Sequence, residues 1–117
     1  MNTPRHDIEI HQGVTFMLGL VYKDPNGEPV DLTGYSARMT VRDSEGGKVL
    51  CDLSSTAEHI RLGDTAPGAV NVEISDSITR KMPVTRLGVY DLLLFAPGGR
   101  SYKLMRGDSP VIYTATL

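Results

Sequence analysis

Apolar and polar residues alternate with a period of two along most of the chain, the signature of strands with one buried and one wet face. Ile8 and Ile10 alternate with Asp7, Glu9 and His11. In "VTFMLGLVYK", Val14, Phe16, Leu18, Leu20 and Tyr22 share one face. In "YSARMTVRD", Tyr35, Ala37, Met39 and Val41 point one way, and Ser36, Arg38, Thr40 and Arg42 point the other. Val70, Val72 and Ile74 repeat the pattern. "VYDLLLF", at 89–95, is apolar on both faces except at Asp91 and reads as a central strand. "RSYKLM" and "PVIYTATL" read as the last two strands, and Val49–Leu53 and Ile60–Leu62 as shorter ones.

The breaks carry turn chemistry. "KDPNGEP" supplies a proline that fixes φ and a glycine that accepts positive φ. "APGGRS" and "DSEGGK" read as hairpin tips, and "RLGDTAPGAV" as a longer loop. "SDSITRKMP" lacks alternation. Ile78 and Met82 lie four apart, and Ser75 or Asp76 is placed to cap, so one short helical turn is expected near 75–82, ended by Pro83.

About seven to nine short strands with turns every ~8–12 residues predict an all-β chain, an immunoglobulin-like antiparallel β-sandwich. "RKMPVTRLGVYDLLLF" resembles the helical connection and Gly-x-Tyr that lead into strand F of such domains. Tyr90 is then either a tyrosine corner, bonded to upstream backbone, or an ordinary strand tyrosine. Leu92 stands where a disulfide-forming cysteine would be, and the chain has no tryptophan.

Composition narrows the function classes. A length of 117 residues implies one domain over 1–117. Such a chain buries roughly two-thirds of its unfolded surface, enough for a core without staples. The formal net charge of −2 gives no basic footprint for nucleic acid. One cysteine, Cys51, forms no intramolecular disulfide. "MNTPRHDIEIHQG" has no apolar run of the secretory type, and no stretch reaches the ~20 apolar residues of a membrane span. Synthesis in the cytoplasm, without membrane insertion, is the expectation.

Candidate chemistry is sparse. His6 and His11 are five apart and point to opposite faces of one strand, and His59 is remote in sequence. No HxH, HExxH or CxxC spacing offers a metal site. Cys51, in "KVLCDLS", lacks a neighbouring base and reads as a small buried or edge residue. Asp91 is a lone acid in an apolar strand, with Arg38 or Arg42 as expected partners. No catalytic residue, cofactor or metal is therefore expected. An enzyme would instead need a deep pocket gathering His59, Cys51 or Asp91.

Near the end stands Arg106-Gly107-Asp108-Ser109-Pro110, which resembles the attachment string that integrins read. It is read here as a strand-connecting turn, with Gly107 allowing the reversal and Pro110 starting the final strand.

The first third of the chain carries a longer pattern: Gln12-Gly13, Thr15-Phe16, Asp24, Gly27, then Pro29-Val30-Asp31-Leu32-Thr33-Gly34-Tyr35 and Ala37-Arg38-Met39. It resembles the β-sandwich domain at the N-terminal, attachment end of upper baseplate proteins in tailed phages and prophages. "GVYDL" and the helical turn before it are similar too. The resemblance implies a non-enzymatic tail or baseplate component, made in a bacterial cytoplasm, that docks on other tail proteins or on itself and ends in the virion. It also implies that Leu32 plugs the core and Gly34 reverses the chain. Relatives of that kind continue into a fibre, whereas this sequence stops at Leu117. Arg38 and Arg42 on one polar face, and Tyr102 with Met105, are the candidate partner-binding residues. The first and last strands are the candidate open edges. The alternative is a free-standing carbohydrate or cell-surface binding module.

Overall fold

A computed structural model describes residues 3–117. In chain order its elements are β1 (Ile10–His11), β2 (Phe16–Val21), β3 (Ser36–Arg42), β4 (Val49–Ser54), β5 (Ile60–Leu62), β6 (Ala69–Ile74), α1 (Asp76–Thr79), β7 (Val89–Phe95), β8 (Ser101–Asp108) and β9 (Val111–Ile112). The four-stranded sheet has the order β4-β3-β7-β8 and the three-stranded sheet the order β2-β6-β5. All pairings inside these two sheets are antiparallel. The chain is an immunoglobulin-like β-sandwich, as the alternation predicts.

The most regular alternating segments meet at the centre. β3 and β7 pair from Ser36↔Phe95 to Arg42↔Val89 without a shift. That register turns Ala37, Met39 and Val41 inward beside Tyr90, Leu92 and Leu94. Val70, Val72 and Ile74 of β6 close the core from the other sheet, each 2% exposed or less. Burying side chains of this size contributes about 1.5–3 kcal/mol each, which is how the fold stands without a disulfide. Leu32 enters the core from its connection, and Gly34, at φ 81°, turns the chain just before β3.

The turns form where the chemistry asks for them. Gly27 and Gly46 sit at positive φ in their loops, and Gly99 at φ 90° tips the β7–β8 hairpin. In α1, Ser75 holds the N-cap position without a side-chain capping bond, and its hydroxyl meets that of Ser77 instead.

The two chain ends depart from expectation. Residues 4–12 run parallel to 106–112 as one ladder. The amides of His6, Ile8, Ile10 and Gln12 donate to the carbonyls of Arg106, Asp108, Pro110 and Ile112, at 2.8–3.0 Å. The expected last strand, "PVIYTATL", shrinks to two residues, and the strand before it is longer than "RSYKLM". β8 runs through Asp108, and β9 pairs with β1 in parallel. Residues 4–8 cover the Arg106–Asp108 end of β8 and β1 pairs with β9, so the first strand is itself an outer edge, as expected, with one side paired and the other open. Val14 lies outside β2 and is 48% exposed.

One further reading is corrected by this ladder. Arg106, Gly107 and Asp108 are strand residues, opposite Asp91, Tyr90 and Val89. The string is not a turn, and Gly107 does not have a positive φ. Its lack of a side chain serves close packing instead: a Cβ there would lie 2.3 Å from the His6 carbonyl oxygen. Of the two readings of Tyr90, the bond to upstream backbone is the one observed: its hydroxyl donates to that same His6 carbonyl.

Gly107→Ala is expected to push the N-terminal segment off β8 and to lower stability by about 1–3 kcal/mol, the usual cost of overpacking. Urea unfolding measures the loss. Amide exchange at His6 and Ile8 should accelerate more than at Met39 or Leu92.

Candidate functional site

The outer face of the four-stranded sheet is where charge collects. Strand register arranges it in rows. Arg42 lies beside Val89, which lies beside Asp108. Asp52, Thr40, Asp91 and Arg106 form the next row across the four strands. Ser54, Arg38, Leu93 and Lys103 form the third. Val89, Leu93 and Phe95 are thus half-buried apolar residues on the outer face of β7, interrupted by Asp91, with charges flanking Val89 and Leu93.

A shallow depression of about 300 Å³ lies on this face, lined by Arg5, Arg42, Asp91, Lys103, Arg106 and Asp108, among others. Several of these charges neutralise one another. Arg5 meets Asp7 at 3.3 Å and Asp108 at 3.1 Å. Lys103 meets Asp91 at 3.6 Å. Asp7 also accepts a 2.9 Å hydrogen bond from the Asp108 amide. Arg42 has only the Gly47 carbonyl, at 2.8 Å. Arg106 makes no ion pair or side-chain hydrogen bond among the described residues. The depression therefore keeps two guanidinium groups free to take a carboxylate or another acceptor.

The four residues singled out from sequence do not form one patch. Arg38 and Arg42 lie on the outer face, and Arg38 is held by Asp52 at 2.6 Å. Tyr102 and Met105 lie opposite Leu94 and Leu92, on the inner side of β8. Tyr102 is 37% exposed and its ring sits 6.4 Å from that of Tyr22, while Met105 packs against the core. Asp91 pairs with Lys103, not with Arg38 or Arg42.

Sequence reading missed Arg106, and the reason is local. The β7–β8 pairing shifts between Leu92 and Leu93, so Met105 follows Lys103 in register and Leu104 is extra. This bulge places Lys103 and Arg106, three apart in sequence, on one face. Strict alternation puts them on opposite faces.

The groups that an enzyme would have to gather are spread out. Asp91 is on the outer face. Cys51 is half-buried on β4 opposite Val41, whose side chain points inward. His59 lies in the β4–β5 connection, where its Nδ1 accepts from the Ser54 amide at 3.3 Å. Among the described residues, no three His, Cys, Asp or Glu side chains come together as metal ligands. Burial, with the Asp52 charge beside it, pushes the Cys51 thiol up to about 11.

No protein-family model matches this chain, and no curated protein does. Solved structures do. A voltage-gated sodium channel beta subunit, studied for its multimeric cell-adhesive interactions, matches at 14% identity with a TM-score of 0.50, over 92% of each chain. The extracellular domain of the beta4 subunit, seen as a parallel homodimer, matches at 14% identity and 0.47, over 97% of this chain and 96% of that one. Drosophila OTK extracellular domains 3–5 match at 16% identity and 0.39, over 95% of this chain and 33% of that one. At such identities the likeness carries the fold. The functional expectation is corrected with it: the match at 0.50 is a subunit studied for cell-adhesive interactions and not a phage protein, so the reading as a phage tail or baseplate component is set aside.

Because its pKa is raised, Cys51 is a neutral thiol throughout the neutral range, and the nucleophilic thiolate grows in only as pH nears 11. Alkylation by iodoacetamide at pH 8 should be at least about tenfold slower than for an exposed thiol and should recover fully in denaturant. A rate equal to that of free cysteine would place the thiol in solvent instead.

Proposed function

We propose that this domain is a non-enzymatic binding module of the cell-surface type, which recognises a protein partner with the outer face of its four-stranded sheet. The observation that carries this reading is the pair of uncompensated arginines, Arg42 and Arg106, beside the apolar residues Val89, Leu93 and Phe95. Protein interfaces combine an apolar centre with a polar rim, and arginine is enriched among their strongest contacts. The face is rigid, because every strand behind it is fixed by core packing. A free-standing sugar-binding module would favour exposed aromatic platforms. On this face the aromatic residue is Phe95, which is half-buried.

The match to a subunit studied for cell-adhesive interactions supports a role in protein recognition, and the absorption of Asp108 into an ion pair with Arg5 speaks against integrin-style use of the Arg-Gly-Asp string. A ligand would have to break that pair and lift a strand residue out of its ladder. The recognition chemistry lies instead with Arg106 and, diagonally across β7, Arg42.

A tetramerised form of the domain, tested on a panel of cells by flow cytometry, examines this directly. Binding is expected to vanish after protease treatment of the cells and to survive glycosidase treatment. Arg42→Glu with Arg106→Glu should reduce it by about tenfold or more, since reversing charges adds repulsion and slows encounter. Circular dichroism checks that the variant is folded. Undiminished binding by the folded variant, or binding removed only by glycosidase, would overturn the proposal.

A further inference from the structure

The sandwich edges differ in how they are guarded. An open edge shows unpaired N–H and C=O groups, and proteins protect it with charge, proline, bulges, shortness or cover. β8 is covered by residues 4–8 at its Arg106–Asp108 end, and its remaining length is guarded by Lys103 and a bulge; the covering segment itself carries Arg5, Asp7 and Glu9. β5 has three residues, one of them Arg61. β4 carries Asp52, and its pairing with β3 shifts between Val41 and Arg42. β2 has none of these devices. It pairs with β6 through six consecutive positions without a shift, its sequence is FMLGLV, and it ends the order of its sheet.

Its hydrogen-bonding phase follows from one contact. The Tyr22 amide donates to the Gly68 carbonyl at 2.7 Å, one step beyond the pair Val21↔Ala69. In an antiparallel ladder, alternate residues exchange bonds with the neighbour. Phe16, Leu18, Leu20 and Tyr22 therefore face β6. Met17, Gly19 and Val21 direct their N–H and C=O groups toward the open flank. Met17 is also 73% exposed and Val21 47% exposed.

We infer that this edge pairs with the same edge of a second copy, antiparallel, about a two-fold axis at Gly19. The segment Met17-Leu18-Gly19-Leu20-Val21 reads much alike in both directions. The axis sets Met17 opposite Val21 of the second copy, Leu18 opposite Leu20, and Gly19 opposite Gly19. An isologous interface requires this self-complementarity. The strand has no charge to repel its own copy. The nearest charges complement each other, because the axis brings the end with Lys23 toward the end where Glu73 flanks Met17. Main-chain groups of residues 17, 19 and 21 supply the bonds, and two three-stranded sheets merge into one. The outer face of the four-stranded sheet plays no part in this pairing and stays free for the recognition proposed above.

Sedimentation equilibrium from micromolar to millimolar protein tests it. The unaltered chain is expected to dimerise, with amide exchange at Met17, Gly19 and Val21 slowing as concentration rises. Met17→Lys with Val21→Lys sets ammonium against ammonium in two rows and should raise the dissociation constant by about tenfold or more. Met17→Lys with Val21→Glu sets opposite charges together in the same rows and should restore the dimer, now weakened by salt. A chain that stays monomeric throughout, or a double-lysine variant that dimerises as before, overturns the interface. Failure of the opposite-charge variant to dimerise overturns its register. The exchange measurement on unaltered protein decides the matter should a variant fail to fold.

Discussion

The unbroken pairing of β3 with β7 sets the parity of the whole molecule. Once Met39 lies beside Leu92 and Val41 beside Tyr90, every second residue of the central strands is committed inward. A slip of one position would expose that apolar set and bury Arg38, Thr40, Arg42 and Asp91. Burying charges without matched partners costs several kcal/mol per ion, far more than the preference for any turn. The core and the charged outer face are thus two results of one register.

Where that register breaks, the surface gains something new. The bulge at Leu104 turns β8 so that Leu104 and Met105 both serve the core side and Lys103 and Arg106 both serve the outer side. Two cations then stand on one strand face at a spacing that regular pleating does not give. The ion pairs there are exposed and each contributes at most ~1 kcal/mol to stability. Their value lies in position. Lys103 neutralises Asp91, Arg5 neutralises Asp108, and the two remaining guanidinium groups are left for a partner.

The alternation of Ala37, Met39 and Val41, of Val70, Val72 and Ile74, and of Tyr90, Leu92 and Leu94 was legible because a period of two records which face is buried. So were the glycine turns at Gly27, Gly46 and Gly99, since positive φ restricts residue choice. The charged site was less legible. The outer-face placement of Arg38 and Arg42 is legible because β3 is regular, but that of Arg106 is hidden by a bulge that leaves no mark in hydrophobicity. The role of Gly107 was misassigned for a related reason: a glycine needed for φ and a glycine needed for space look the same in a sequence. The phage resemblance agreed with the observed fold, while the function it implied is not supported by the solved structure that the chain matches.

The parallel ladder between residues 4–12 and 106–112 has a mechanical consequence. Its two strands run the same way, one leading in from the start of the chain and the other out toward its end. Tension applied between those ends pulls the strands in opposite directions along their length. The four amide–carbonyl bonds from His6, Ile8, Ile10 and Gln12 would be loaded in shear together rather than unzipped one by one. The seam is thus oriented to carry such tension in shear, and Gly107, which has no Cβ to strike the His6 carbonyl, lets the two strands lie close along it.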